Sequence, residues 1–147
     1  MTQDYYGTKR ITAWAEERDG QPGYAVRYDH GYTSWSPKDV FEAAYQPLTH
    51  MSFGHAIEAM KAGHKVARSG WNGKGMWIAL TPGYAFEARH AKCGHAAAKR
   101  AVELDDPEAE IELLPHIDMR TADGSICVGW LASQTDMLAD DWTVVEG

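Results

Sequence analysis

The strand-like stretches of this chain are short, and each is parted from the next by a few turn-forming residues. Between residues 10 and 35, ITAWAEE, YAVRY and GYTSW are divided by DGQPG and DHG. Further on, KVARSGW and MWIALTP are divided by NGKG, and IELLPHIDMR and SICVGW by TADG. Glycine supplies positive φ in such gaps, and Asn and Asp bond their own backbone there. A connection this short returns a strand antiparallel to its predecessor, whereas a parallel pair needs a crossover of about a dozen residues or more. No strand–helix–strand alternation with long crossovers is present. The expected class is α+β, an antiparallel sheet with a few short helices.

The helices announce themselves by caps and period. SPKDVFEAAY offers Ser36 as N-cap, Pro37 at the first helical position and Asp39 at the positive end of the dipole, and Pro47 ends it. Val40, Phe41, Ala44 and Tyr45 would share one face. A second helix starts after Met51 with Ser52 as cap, Phe53, Ala56, Ile57 and Met60 at helical spacing, and Gly63 as stop. SQTDMLADD predicts a short helix capped by Ser133, and WTVVE an edge strand that closes the sheet. From Gly83 to Glu110 the pattern weakens: KCGHAAAKRAVEL reads as an exposed helix and LDDPEAE as a solvated acidic loop. Residues 1–50 are thus expected to form an N-terminal β-meander plus helix appendage. Residues 51–147 form a second domain, carrying an insertion at about 83–110.

Composition narrows the function classes. Hydrophobic residues at 44% and charged residues at 24% place the chain among globular proteins. No run of about 18 apolar residues could cross a membrane. The N-terminus has no apolar core after its charges, which excludes a signal peptide and predicts a cytoplasmic location. Cys93 and Cys127 have no C-x-x-C spacing and read as reduced thiols. A net charge of −7 with no basic block argues against polymeric nucleic acid. A small anionic ligand is still allowed, since one or two cations suffice locally.

The stretch RSGWNGKGMW carries most of the candidate chemistry. It has the glycines and lysine of a phosphate loop, but Gly75 and Met76 follow Lys74 where a P-loop needs a metal-binding hydroxyl. It also joins two strands, where a P-loop opens a helix. What survives is stacking: a purine on the ring of Trp71 would contribute roughly 1–3 kcal/mol. Asn72 could read a base edge, and Arg68 and Lys74 could meet a pyrophosphate. The plain alternative is a hairpin turn whose two tryptophans pack in a core or interface, and Trp77 is assigned to the core. His90, Cys93 and His95 make H-x-x-C-x-H without a second ligand cluster, so no metal and no cofactor is expected. His116 and Asp118 lie two apart on one strand face. They could be a general base, but no nucleophile motif accompanies them, and a hydrogen-bonded pair is the simpler reading. Asp105, Asp106, Asp140 and Asp141 belong to charge runs that face water. Gln134, Thr135 and Asp136 open a short helix, where they either cap it or bond ribose hydroxyls and base edges.

Three blocks carry a resemblance: MSFGHAIEAMKAGHKVARSGWNGKGMWIAL, LPHIDMRTADGSI and GWLASQTDMLADDW. In this order they resemble the phage anti-Thoeris sponge family, the second type of Thoeris anti-defence protein. The resemblance covers residues 51–82 and about 113–142. It implies a protein without catalytic residues that binds a cyclic ADP-ribose-type immune signal, such as glycocyclic ADP-ribose, and withholds it from the effector. It further implies a homotetramer with pockets shared between subunits, and, for some members, capture of cyclic dinucleotides at a separate site. The matching positions make Trp71 and Trp130 the stacking residues. Asn72, Asp118, Arg120, Gln134 and Asp136 are then polar contacts, with Phe53 and Arg68 lining the same site. The 50 residues before Met51 depart from family members that begin at the M-x-F-G segment. Two other classes stay open on the residues alone: a hydrolase of an ADP-ribose derivative using His116 and Asp118, and a structural or partner-binding phage protein.

Overall fold

The computed structural model describes residues 1–147. The N-terminal module is a three-stranded antiparallel sheet of β1 (Thr12–Ala15), β2 (Gly23–Arg27) and β3 (Thr33–Pro37), followed by α1 (Lys38–Ala44). Gly23 is required by a close approach: a Cβ there would lie 2.3 Å from the Trp35 ring. The helix packs through rings, with Tyr24 stacked on Phe41 at 4.3 Å and Phe41 on Tyr45 at 4.9 Å. Ser36 is not its cap. Ser36 stays in β3 opposite Tyr24, so Pro37 becomes the N-cap, and Val40 turns to solvent.

From Met51 onward the elements are α2 (Phe53–Lys61), β4 (Lys65–Arg68), β5 (Trp77–Thr81), β6 (Tyr84–Glu87), a 3-10 turn (Ala88–His90) and α3 (Ala96–Leu104). They continue with β7 (Glu110–Leu113), β8 (His116–Arg120), β9 (Ile126–Val128), α4 (Gln134–Met137) and β10 (Trp142–Val145). Five strands form one antiparallel sheet in the order β10-β4-β5-β8-β9. The class is therefore α+β with antiparallel sheets and four short helices, as the turn chemistry predicts. Val66, Ile78 and Met119 stand opposite one another across β4, β5 and β8 and meet Ala56 and Met60 of α2. Strand alternation sends Trp77 to the other side of the sheet. There it is half-buried under the Lys65 ammonium, 5.5 Å from the ring centroid, and it does not join the core.

The run IELLPHIDMR is two strands, not one. Pro115 lacks an N–H and breaks the ladder, so β7 pairs with β6 while β8 pairs with β5 and β9. Residues 84–113 thereby form an arm with its own small core of Ala88, Ala97 and Ile111. The helix of this region is not wholly exposed, because Ala97 is buried against the arm's stem.

The two parts of the chain are joined by backbone pairing. Leu48 O accepts the Val144 N–H at 2.9 Å, and Met51 exchanges bonds of 2.8 and 3.1 Å with Trp142. Gln46 Oε1 accepts the Ser52 N–H at 2.8 Å and lies 2.9 Å from His55 Nδ1. Residues 46–51 are a strap along β10, so that edge of the sheet is covered by the chain itself.

Candidate functional site

Four aromatic rings gather where the start of α2, the turn after β4, the segment after β9 and the start of β10 meet. Trp142 is fully buried at the centre. Trp71 meets it edge-on at 5.4 Å and 80°, Trp130 at 6.2 Å and 79°, and Phe53 at 5.1 Å. Trp71 and Trp130 also meet edge to face, at 6.2 Å and 68°. Edge-to-face contact satisfies the ring quadrupoles and holds the ring planes at fixed angles. Trp71 and Trp130 are half-buried, the state needed of a wall that both packs and stacks.

Each tryptophan is placed by the turn that precedes it. After β4 the chain turns at Ser69 and Gly70, whose hydroxyl and N–H donate to Asp141 Oδ2 at 3.3 and 2.8 Å. The Trp71 N–H reaches back to Arg68 O. Gly129, at φ 82°, donates its N–H to Asp118 Oδ1 at 3.0 Å, and the Trp130 N–H bonds Ile117 O at 2.8 Å. Asp118 thus fixes the turn that delivers Trp130.

An ionic clamp holds the cluster from one side. Arg68 Nη1 donates to Asp136 Oδ1 at 2.9 Å and its Nε to Asp141 Oδ1 at 2.8 Å. Arg68 and Asp136 side chains are only 15% and 14% exposed. The indole N–H of Trp71 donates to Asp136 Oδ1 at 3.2 Å, and that of Trp142 to the Asp136 carbonyl at 2.9 Å. Ser133 and Asp136 complete a capping box on α4. Burial works to raise the Asp136 carboxyl, but hydrogen bonds from Arg68, Ser133 and Trp71 outweigh it and hold its pKa low. Bonds from Arg68, against burial and with help from the Gly70 N–H, hold Asp141 low as well. The same two carboxylates raise Arg68 further.

Of the residues singled out in the sequence, Phe53, Arg68, Trp71, Trp130 and Asp136 are brought together here. Asp118 and Arg120 point to the other side of the sheet from Met119. Asp118 is engaged by Thr81 Oγ1, the Gly129 N–H and His116, whose Nε2 lies 3.3 Å away. Arg120 Nη1 donates to Gly75 O at 2.7 Å and so braces the loop that follows Trp71. Asn72 and Lys74 follow Trp71 in its loop and Gln134 opens α4; all three are exposed, and their side chains make no hydrogen bond within the chain. No group of three or more His, Cys, Asp or Glu side chains is arranged to hold a metal ion.

Residues 51–145 match the family model described as the Thoeris anti-defense 2-like domain. This chain belongs to the Thoeris anti-defense 2-like family. A member from Bacillus phage SP01, named Thoeris anti-defense 2, is 38% identical over 97 residues. The shared stretch is 66% of this chain and 97% of that relative. The Thoeris anti-defense 2-like domain therefore includes the tryptophan cluster, its ionic clamp and the arm, while the N-terminal module lies outside the match. Sequence reasoning missed two parts of the cluster: Trp142, read only as the start of an edge strand, and Asp141, read as solvated. Neither carries a local signal, because what draws them in lies far along the chain: Arg68 for Asp141 and Met51 for Trp142.

Proposed function

We propose that this chain binds a cyclic ADP-ribose-type signal of the glycocyclic kind on the Trp71–Trp130 surface and stores it uncleaved, so that a Thoeris effector is not activated. The observation that carries this is the clamp on Trp71. Its indole N–H is turned inward to Asp136, so the ring offers a ligand its face, and a fixed ring face suits a purine. Asn72 and Gln134 bring unpaired amides beside it for base edges or ribose hydroxyls, and Lys74 brings an unpaired cation for a pyrophosphate.

The energetics allow it. Nanomolar storage needs about −12 kcal/mol. Two stacking walls supply roughly 2–6 kcal/mol, and each charge-assisted hydrogen bond adds about 1.5–3 kcal/mol. A preformed clamp keeps the ordering cost small. Storage over turnover is supported by His116 and Asp118, which are engaged with each other, Thr81, Gly129 and Leu114 O. Self-association into a homotetramer with shared pockets is supported by exposed Ile126, Val128, Leu131 and Leu138 near the cluster.

The test is to mix the protein with cyclic ADP-ribose isomers, remove the free fraction, denature, and identify what is released by mass spectrometry. Intact ligand is expected. A cleaved product would establish a hydrolase, and an empty protein would leave a structural role. Running cyclic dinucleotides in parallel reads the second ligand class, and their capture by Trp71→Ala would place them at a separate site.

A further inference from the structure

The arm holds a second concave surface, lined by none of the residues of the tryptophan cluster. It is a cavity of about 290 Å³ between the β6–β7 stem and the start of α3. Phe86, Ala97 and Leu113 form its apolar side, with Tyr84 at 58% exposure on the rim. Tyr84 and Phe86 stand two apart on β6, so they share a strand face, with ring centroids 5.7 Å apart. The polar lining is His90, Lys92 and His95, with no carboxylate among them, in a chain whose net charge is −7.

Two of these polar groups are uncommitted donors. The Lys92 ammonium makes no ion pair or hydrogen bond within the chain, and only the Lys92 carbonyl is engaged, by the His95 N–H. His95 Nδ1 accepts the Ala97 N–H at 3.1 Å, which places the neutral ring's proton on Nε2 and leaves that N–H without a partner. His90 has only a distant carboxylate, Glu87 at 4.0 Å. A pocket with aromatic and aliphatic walls and convergent cationic or N–H donors selects a flat ring that carries an anion.

We infer that the arm cavity is a binding site for a small aromatic phosphate, the ring lying against Tyr84 and Phe86 and the phosphate meeting Lys92 and His95. A site of this volume takes a mononucleotide-sized ligand. It rests on a core of its own, Ala88, Ala97 and Ile111, so it stands or falls separately from the tryptophan surface.

The experiment is calorimetric titration of the full chain with adenosine monophosphate, adenosine and inorganic phosphate. Adenosine monophosphate is expected to bind, with adenosine and phosphate each at least tenfold weaker because each lacks one half of the recognition. Lys92→Ala and Tyr84→Ala should each weaken the mononucleotide at least fivefold, with unchanged thermal midpoints and unchanged capture of the cyclic signal. No heat from the mononucleotide, or equal affinity in both variants, overturns the proposal. Loss of cyclic-signal capture in Lys92→Ala would overturn the separation of the two sites, whereas failure of the mononucleotide alone leaves the tryptophan reading standing.

Discussion

The N-terminal module and the tryptophan cluster are both rich in aromatic residues, and they use them in opposite ways. In the module, Tyr24, Phe41 and Tyr45 lie nearly parallel, at 22° and 26°, so each ring covers its neighbour's face. In the cluster, Trp71, Trp130 and Trp142 meet at 68° to 80°, and two indole N–H groups are tied to one residue, Asp136. The first arrangement seals a small core. The second fixes ring orientation through crossed planes and anchored indole N–H groups. The two regions differ not in the number of rings but in how their planes and polar edges are held.

The sharpest way to break this contrast is Trp142→Ala. Removing a fully buried ring at the cluster's centre should cost about 3–5 kcal/mol, lowering Tm by roughly 10 °C for a chain of this size, and should abolish signal capture. Phe41→Ala, in a half-buried stack, should cost only about 1–2 kcal/mol and leave capture unchanged. Calorimetry and ligand pull-down read both, and a Phe41→Ala protein that lost capture would erase the distinction.

Arg68→Ala comes next. It strands two partly buried carboxylates and should cost about 2–3 kcal/mol. Asp136 and Asp141 have pKa values lowered by folding, so their stabilising contribution is complete well above the ordinary carboxylate value of 3.8 and is lost as pH falls below it. Acid unfolding of Arg68→Ala should therefore be flatter below pH 4 than that of the parent, and an identical acid limb would show that the clamp contributes nothing. Trp71→Ala and Trp130→Ala should each weaken capture at least tenfold in a folded protein; unchanged affinity in both removes them as walls. The smallest effect belongs to Asn72→Ala, with stability within about 0.5 kcal/mol of the parent and capture reduced by roughly fivefold, the share of one hydrogen bond.

Local features of the fold were readable because local chemistry sets them. Turn residues marked the β1–β2–β3 meander and the β8–β9 turn, where Asp123 binds the Thr121 hydroxyl and the Ser125 N–H and is lowered to about 2. Ser52 and Ser133 cap α2 and α4 as their positions suggested. What sequence did not disclose depends on partners far along the chain. Trp142 is central because Met51 pairs with it, and Asp141 is drawn in by Arg68. Periodicity within WTVVE or ADD carries no trace of either. Ser36 was misread as a cap because a cap and a strand residue look alike until pairing with β2 decides between them. Trp71 and Trp130 could be paired as a site only through family resemblance, since nothing in either stretch alone states that they touch.

The strap along β10 has a consequence for how copies of this chain can join. A sheet normally offers two edges for addition, and a molecule open at both can add neighbours without limit. Here residues 46–51 occupy one edge, leaving β9 as the other. Within the five-stranded sheet, edge-to-edge pairing through β9 therefore joins two copies and stops, and a larger assembly has to use other surfaces of the molecule.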